Sequence, residues 1–214
     1  MKSWKVLALS AAALAGFGPA ATAQSAASET PTATPGPQRE INVTHDSAPG
    51  WLPSAAFEEQ VRKRTSEYFS DLDSGQYQRA YAMMAEINRE DRPLATFIQE
   101  NQGFHDRAGA LTALTILKIT WTKDPAKAPL PGIYAAIDIA GHFQKMDRYC
   151  GYLVLYKAPI GGEFEVMRQE ANYMDDAQAA KIEREKSRAA VDTIWAALAT
   201  YCPNYQAATQ PRSP

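Results

Sequence analysis

The sequence is poor in the residues most chemistry uses. Its 214 residues include only two cysteines and three histidines. Cys150 and Cys202 are far apart, which excludes the C-x-x-C spacing of redox and zinc sites. There is no phosphate loop, no H-E-x-x-H, no haem C-x-x-C-H and no nucleophile elbow. No metal and no cofactor is therefore expected. Charge of one sign is also lacking, with 22 basic against 24 acidic residues. Such a surface has no electrostatic reason to bind nucleic acid or an anionic membrane. Long hydrophobic runs are missing too. The apolar stretch "VLALSAAALAGFG" is broken by Gly16 and Gly18 and followed by Pro19, and is shorter than the ~20 residues of a membrane span.

That stretch reads instead as an export signal. Lys2 and Lys5 precede it, and small residues at Ala21 and Ala23 close it in an A-x-A pattern. Cleavage is expected near Gln24, which makes residues 1–23 a signal peptide. The remaining chain then has 20 basic and 24 acidic residues, a net charge of −4. Residues 24–50 are rich in Ser, Thr, Ala and Pro and poor in large apolar residues, so they read as a disordered linker. His45 falls there and is expected to be solvated. Residues 51–205 read as a single domain and 206–214 as a disordered tail. In an exported chain the two cysteines read as a disulfide worth ~3–4 kcal/mol, with two buried free thiols the alternative.

Within the domain, Ser54 is a suitable N-cap, and Phe57, Val61, Thr65, Tyr68, Phe69 and Leu72 recur at helical spacing up to Gly75. A short helix through Tyr77, Ala80, Tyr81 and Met84 follows. A third is expected from about Asn88 to His105. The period then changes. "LTALTILKITW", "GIYAAIDIAGHFQ", "RYCGYLVLYKA" and "EFEVMRQEANYM" are rich in β-branched and aromatic residues. Short connections make them an antiparallel four-stranded meander. A last helix is expected from Asp175 to Tyr201, opened by an Asp175–Gln178 capping box. The fold class is α+β, with N-terminal helices packed on the sheet and a C-terminal helix added.

One stretch, "IDIAGHFQKMDRYCGY", carries Asp138, His142 and Cys150, residue types used in nucleophilic catalysis. Strand alternation argues against that use. Ile133, Ile137, Ile139 and Phe143 share one face, and Tyr134, Asp138 and His142 the other. If the apolar face meets the helices, Asp138 and His142 point away from the core. A turn of Lys145-Met146-Asp147 sets His142 opposite Cys150. A turn of Met146-Asp147 sets Phe143 there and aims the thiol at the core. The turn sequence does not choose between them. The other polar candidates are His105, at a helix end, and the Arg168–Glu170 pair, for which a pocket and a surface location stay open. No catalytic residue is assigned.

"SDLDSGQYQRAYAMM", with Asp73, Gly75, Tyr77 and Tyr81, resembles the opening of the bacterial exported domain-of-unknown-function family numbered four-zero-one-nine. Arg107 with Gly109, the Leu130-Pro131-Gly132 entry before Tyr134, Phe143, and the closing "GGEFEVMRQEANYM" extend the likeness over residues 57–174. The long C-terminal helix and the two cysteines depart from it, as do Gly162 and Phe164 where the family has a glycine turn and tryptophan. The resemblance implies a cone-shaped fold similar to nuclear transport factor two, export to the bacterial periplasm, and no established catalytic residues. In enzymes of that cone the acid–base pair lines the pocket between sheet and helices. The reading is an exported, non-catalytic domain that binds an unknown protein or small ligand. The alternatives are a small-molecule hydrolase or isomerase using the cone pocket, and an accessory subunit of an envelope assembly. Tyr134, Ala136 and Ala140 on the outer sheet face suit a homodimer.

Overall fold

Ser54 opens the first helix as its side chain dictates: the hydroxyl accepts the Phe57 amide at 3.1 Å. The computed structural model describes residues 40–200 and Cys202. The expected signal peptide, residues 24–39 of the expected linker, and the expected tail lie outside them. In chain order the elements are β1 (Asn42–Val43), α1 (Ala55–Asp73), α2 (Tyr77–Ala82), α3 (Glu86–Asp91), α4 (Leu94–Ala108), β2 (Leu111–Lys123), β3 (Ile133–Phe143), β4 (Met146–Lys157), β5 (Glu165–Asp175), α5 (Asp176–Glu185) and α6 (Arg188–Ala199).

The sheet has five strands in the order β1-β2-β3-β4-β5, not the four expected. The extra strand comes from the stretch assigned to the linker. Asn42 and Val43 pair in parallel with Thr120 and Trp121, and the Thr44 amide donates to the Trp121 carbonyl. Two residues joined by backbone bonds leave almost no compositional trace. The remaining strands form the expected antiparallel meander.

One face of the sheet packs on α1, α2 and α4. Val61, Tyr68 and Phe69 from α1, Ala80 from α2 and Phe97 from α4 share a core with Trp121, Ile137, Ile139, Leu153, Leu155 and Val166. The third helix differs from expectation. It is broken at Arg92-Pro93 into α3 and α4, because proline cannot donate within a helix. Asn88 does not cap a helix; its amide nitrogen donates to the Met167 carbonyl. The expected single C-terminal helix is also two. It opens with the Asp175–Gln178 capping box, breaks at Lys186, and restarts on the Ser187 hydroxyl. The break lets α6 fold back over the opposite face of the sheet. There Val191 and Trp195 form a second, smaller core with Cys150, Met174, Ala179 and Cys202.

The β3–β4 hairpin adopts neither expected register. The turn is Gln144-Lys145, and Cys150 stands opposite Ala140. The cause is tertiary. The Gln144 and Lys145 amides donate to the Ala110 and Ala108 carbonyls at 3.0 and 2.8 Å, while the Lys145 carbonyl accepts the Asp176 amide at 3.1 Å. In this register Cys150 faces α6 and is bonded to Cys202, 52 residues away, with Cα atoms 5.9 Å apart. Asp147 and Arg148 add an ionic clasp. Arg188 reaches Asp147 at 2.8 Å, and Arg148 bonds both Asp147 and Asp192.

At the opposite end of β3, Gly132 has φ of 146° and lies so close to β4 that a Cβ would meet the Lys157 carbonyl oxygen at 2.4 Å. Only glycine fits there. Among the described residues, no helix is long and apolar enough to cross a membrane.

Candidate functional site

Between α1, α4 and the sheet the core leaves a part-enclosed pocket of about 110 Å³. Its walls are mostly apolar: Phe69 and Leu72 from α1, Phe104 from α4, and Leu111, Phe143, Tyr149 and Tyr173 from the sheet. The helical period puts Phe69 and Leu72 on one side of α1. Strand alternation puts Tyr149, Ala171 and Tyr173 on the helix-facing side of β4 and β5. Phe104 is the hub. Its ring centroid is 5.4 Å from Phe143, 5.3 Å from Tyr173 and 6.0 Å from Tyr149, mostly edge to face.

The polar lining divides into a rim and a buried part. Asp73 ends α1, His105 lies in the last turn of α4, and Asn101 stands one turn earlier. His105 Nε2 is 3.8 Å from Asp73 Oδ1, and that oxygen already accepts the Leu111 amide at 2.6 Å. An approach of 3.8 Å is beyond hydrogen-bond range. Both side chains are partly solvated, with 37% of His105 and 28% of Asp73 exposed. Burial, followed by the charges of Asp106 and Asp73, pushes the Tyr77 phenol up.

Deeper in, Gln169 joins two buried phenols. Tyr68 donates to its Oε1 at 2.8 Å, and Tyr149 is hydrogen-bonded to the same side chain. Burial pushes both hydroxyls far above the ordinary phenol value. They stay protonated and neutral, and no phenolate base forms here. Replacing Gln169 with leucine leaves two buried hydroxyls without this partner. We expect a loss of about 1–3 kcal/mol for each, read by urea unfolding. A stability within 0.5 kcal/mol of wild type would show the network to be dispensable.

The residues singled out from sequence are dispersed. Cys150 is fully buried in the disulfide. Asp138 and His142 lie on the face opposite the pocket and do not line it. Asp138, only 6% exposed, stands in register between Lys118 and Tyr152, and His142 is half-buried opposite Ala113. Arg168 and Glu170 form an exposed pair on β5, with the Arg168 guanidinium 5.6 Å from the Tyr152 ring. Hydrogen bonds from Tyr152 and Arg168 hold the Glu170 carboxyl below its usual range. The pair faces outward because the register slips between Val154 and Leu155, so Arg168 leaves the face that Val166 occupies. His105 alone among the candidates reaches the pocket. Asp73 lines the pocket as well, and its signal in the sequence is its place two residues before Gly75 and four before Tyr77. Of the proposed dimer face, Ala140 is buried, and Tyr134 packs on Tyr156 with centroids 5.1 Å apart. Among the described residues, no group of three His, Cys, Asp or Glu side chains is placed to hold a metal.

Fold and site together define a mixed α/β domain with a small aromatic pocket between its helices and its sheet. The model of the family described as Protein of unknown function (DUF4019) matches residues 64–168, and the chain belongs to that family. The match takes in Asp73, His105 and Tyr149, and ends before Tyr173, α5, α6 and Cys202. No curated protein and no solved structure matches the chain.

Proposed function

We propose that the chain is an exported, non-catalytic binding domain, and that a small ligand sits in the pocket between α1, α4 and the sheet. The observation carrying this reading is the pocket itself, a part-enclosed aromatic hollow with a few polar groups at its rim. Export is supported by the disulfide, which suits an oxidising compartment such as the bacterial periplasm, and by the signal-like N-terminal sequence. A cone of the nuclear-transport-factor-two type is supported by helices against one face of a sheet whose strands carry register slips, which bend strands.

The enzyme alternative draws on the convergence of Asp73 and His105, the kind of pair such a cone uses. Two features weigh against it. The Leu111 amide holds the facing carboxylate oxygen, and the two buried tyrosines serve only as neutral groups. A thermal-shift screen of compact fragments tests the binding reading. A fragment at tenfold its Kd is expected to raise Tm by about 3 °C. The same fragment is expected to do nothing to Leu72→Trp, which fills the pocket from α1. No shift from any fragment, or an equal shift in the filled variant, overturns the reading.

A further inference from the structure

We propose that the ligand is a small organic cation, with a methylated or otherwise alkylated ammonium group seated among the aromatic rings. This rests on the reading of the pocket as a ligand site. Three observations converge on it. Four rings crowd together, since Phe104 contacts Phe143, Tyr149 and Tyr173, and Phe143 lies 4.9 Å from Tyr149. Aromatic rings attract a cation within ~6 Å of their centroids, and the attraction grows where water is excluded. The rim, in addition, carries the Asp73 carboxylate. One of its oxygens accepts the Leu111 amide and stands 3.8 Å from His105 Nε2, beyond hydrogen-bond range, so the carboxylate is placed to meet a cation at the rim. Finally, the cluster already receives a cation from outside. The Arg107 guanidinium lies 5.8 Å from the Tyr173 ring centroid while its Nε donates to the Gly103 carbonyl at 3.2 Å.

Size narrows the class. About 110 Å³ is well below the ~300 Å³ at which clefts for drug-sized molecules begin. It suits one compact branched group with the rest of the molecule left outside. A bare metal ion is poorly served, because carbon lines most of the surface. A carboxylate or phosphate ligand would face the Asp73 carboxylate.

The test uses the purified full chain, isothermal titration calorimetry, and three probes: tetramethylammonium, choline, and 3,3-dimethyl-1-butanol as the uncharged isostere of choline. Choline and tetramethylammonium are expected to bind, and the isostere at least tenfold more weakly than choline. Asp73→Asn keeps an oxygen for the Leu111 amide and removes the charge. It is expected to weaken the cations at least fivefold and leave the isostere unchanged. Phe104→Leu keeps an apolar wall without a ring, and is expected to act in the same direction should the aspartate variant fail to fold. Binding of the isostere as tight as that of choline overturns the cation class while leaving a ligand pocket intact. Cation affinity unchanged in both variants overturns it too. If none of the three probes binds, the cation class is overturned, and the fragment screen with the filled variant judges the pocket separately.

Discussion

Replacing Cys150 and Cys202 together with alanine lowers the unfolding free energy by about 4 kcal/mol. The bond spans 52 residues, and the loop-closure entropy it removes from the unfolded chain gives a term of that size. The loss falls unevenly. α6 belongs to the small core of Trp195, Val191 and Met174, apart from the larger core under α1 and α4. Without the bond, α6 keeps Trp195 and the Arg148 and Arg188 clasp as its main attachments. Amide exchange in α6 should then speed up before exchange in β3 and β4 does. Urea unfolding with and without reductant, followed by hydrogen exchange, reads both effects. An unchanged midpoint, or uniform loss of protection, contradicts the expectation.

Trp121→Ala is expected to cost about 3–5 kcal/mol, the usual range for emptying a buried tryptophan site. Trp121 is 2% exposed and joins three parts of the chain. Its ring packs edge-on against Trp51 at 6.5 Å and Phe164 at 6.2 Å, and Phe164 in turn meets Phe57 of α1. Its carbonyl holds β1 through the Thr44 amide. The substitution therefore opens a cavity where β1, α1 and the β4–β5 connection meet. The pocket, at the other end of α1, should keep its ligand in a variant that still folds. A loss below 1 kcal/mol in denaturant unfolding would contradict this placement.

What the sequence disclosed follows from how local each cause is. The four long strands were legible because Ile137, Ile139, Leu153 and Leu155 announce a buried face by type and period. Ser54 and the Asp175–Gln178 box were legible because capping is settled within four residues. The same alternation put Asp138 and His142 away from the helix side, where the structure has them. β1 was not legible, since its two residues pair through backbone alone. Nor was the hairpin register, which is set by Ala108, Ala110 and Asp176 from outside the hairpin. The pocket was the least legible feature. Asp73 and His105 are 32 positions apart, on different helices, and only the packing of α1 and α4 about α2 and the sheet brings them to one rim.

The most direct test of the central claim is a chemical-shift map of the isotope-labelled protein titrated with the tightest-binding fragment. The largest changes are expected at Asp73, Phe104, His105 and Tyr173, with Tyr134 and Tyr152 on the outer face of the sheet and Trp195 of α6 undisturbed. Changes centred on the outer face of the sheet or on α6, with the pocket silent, would contradict it.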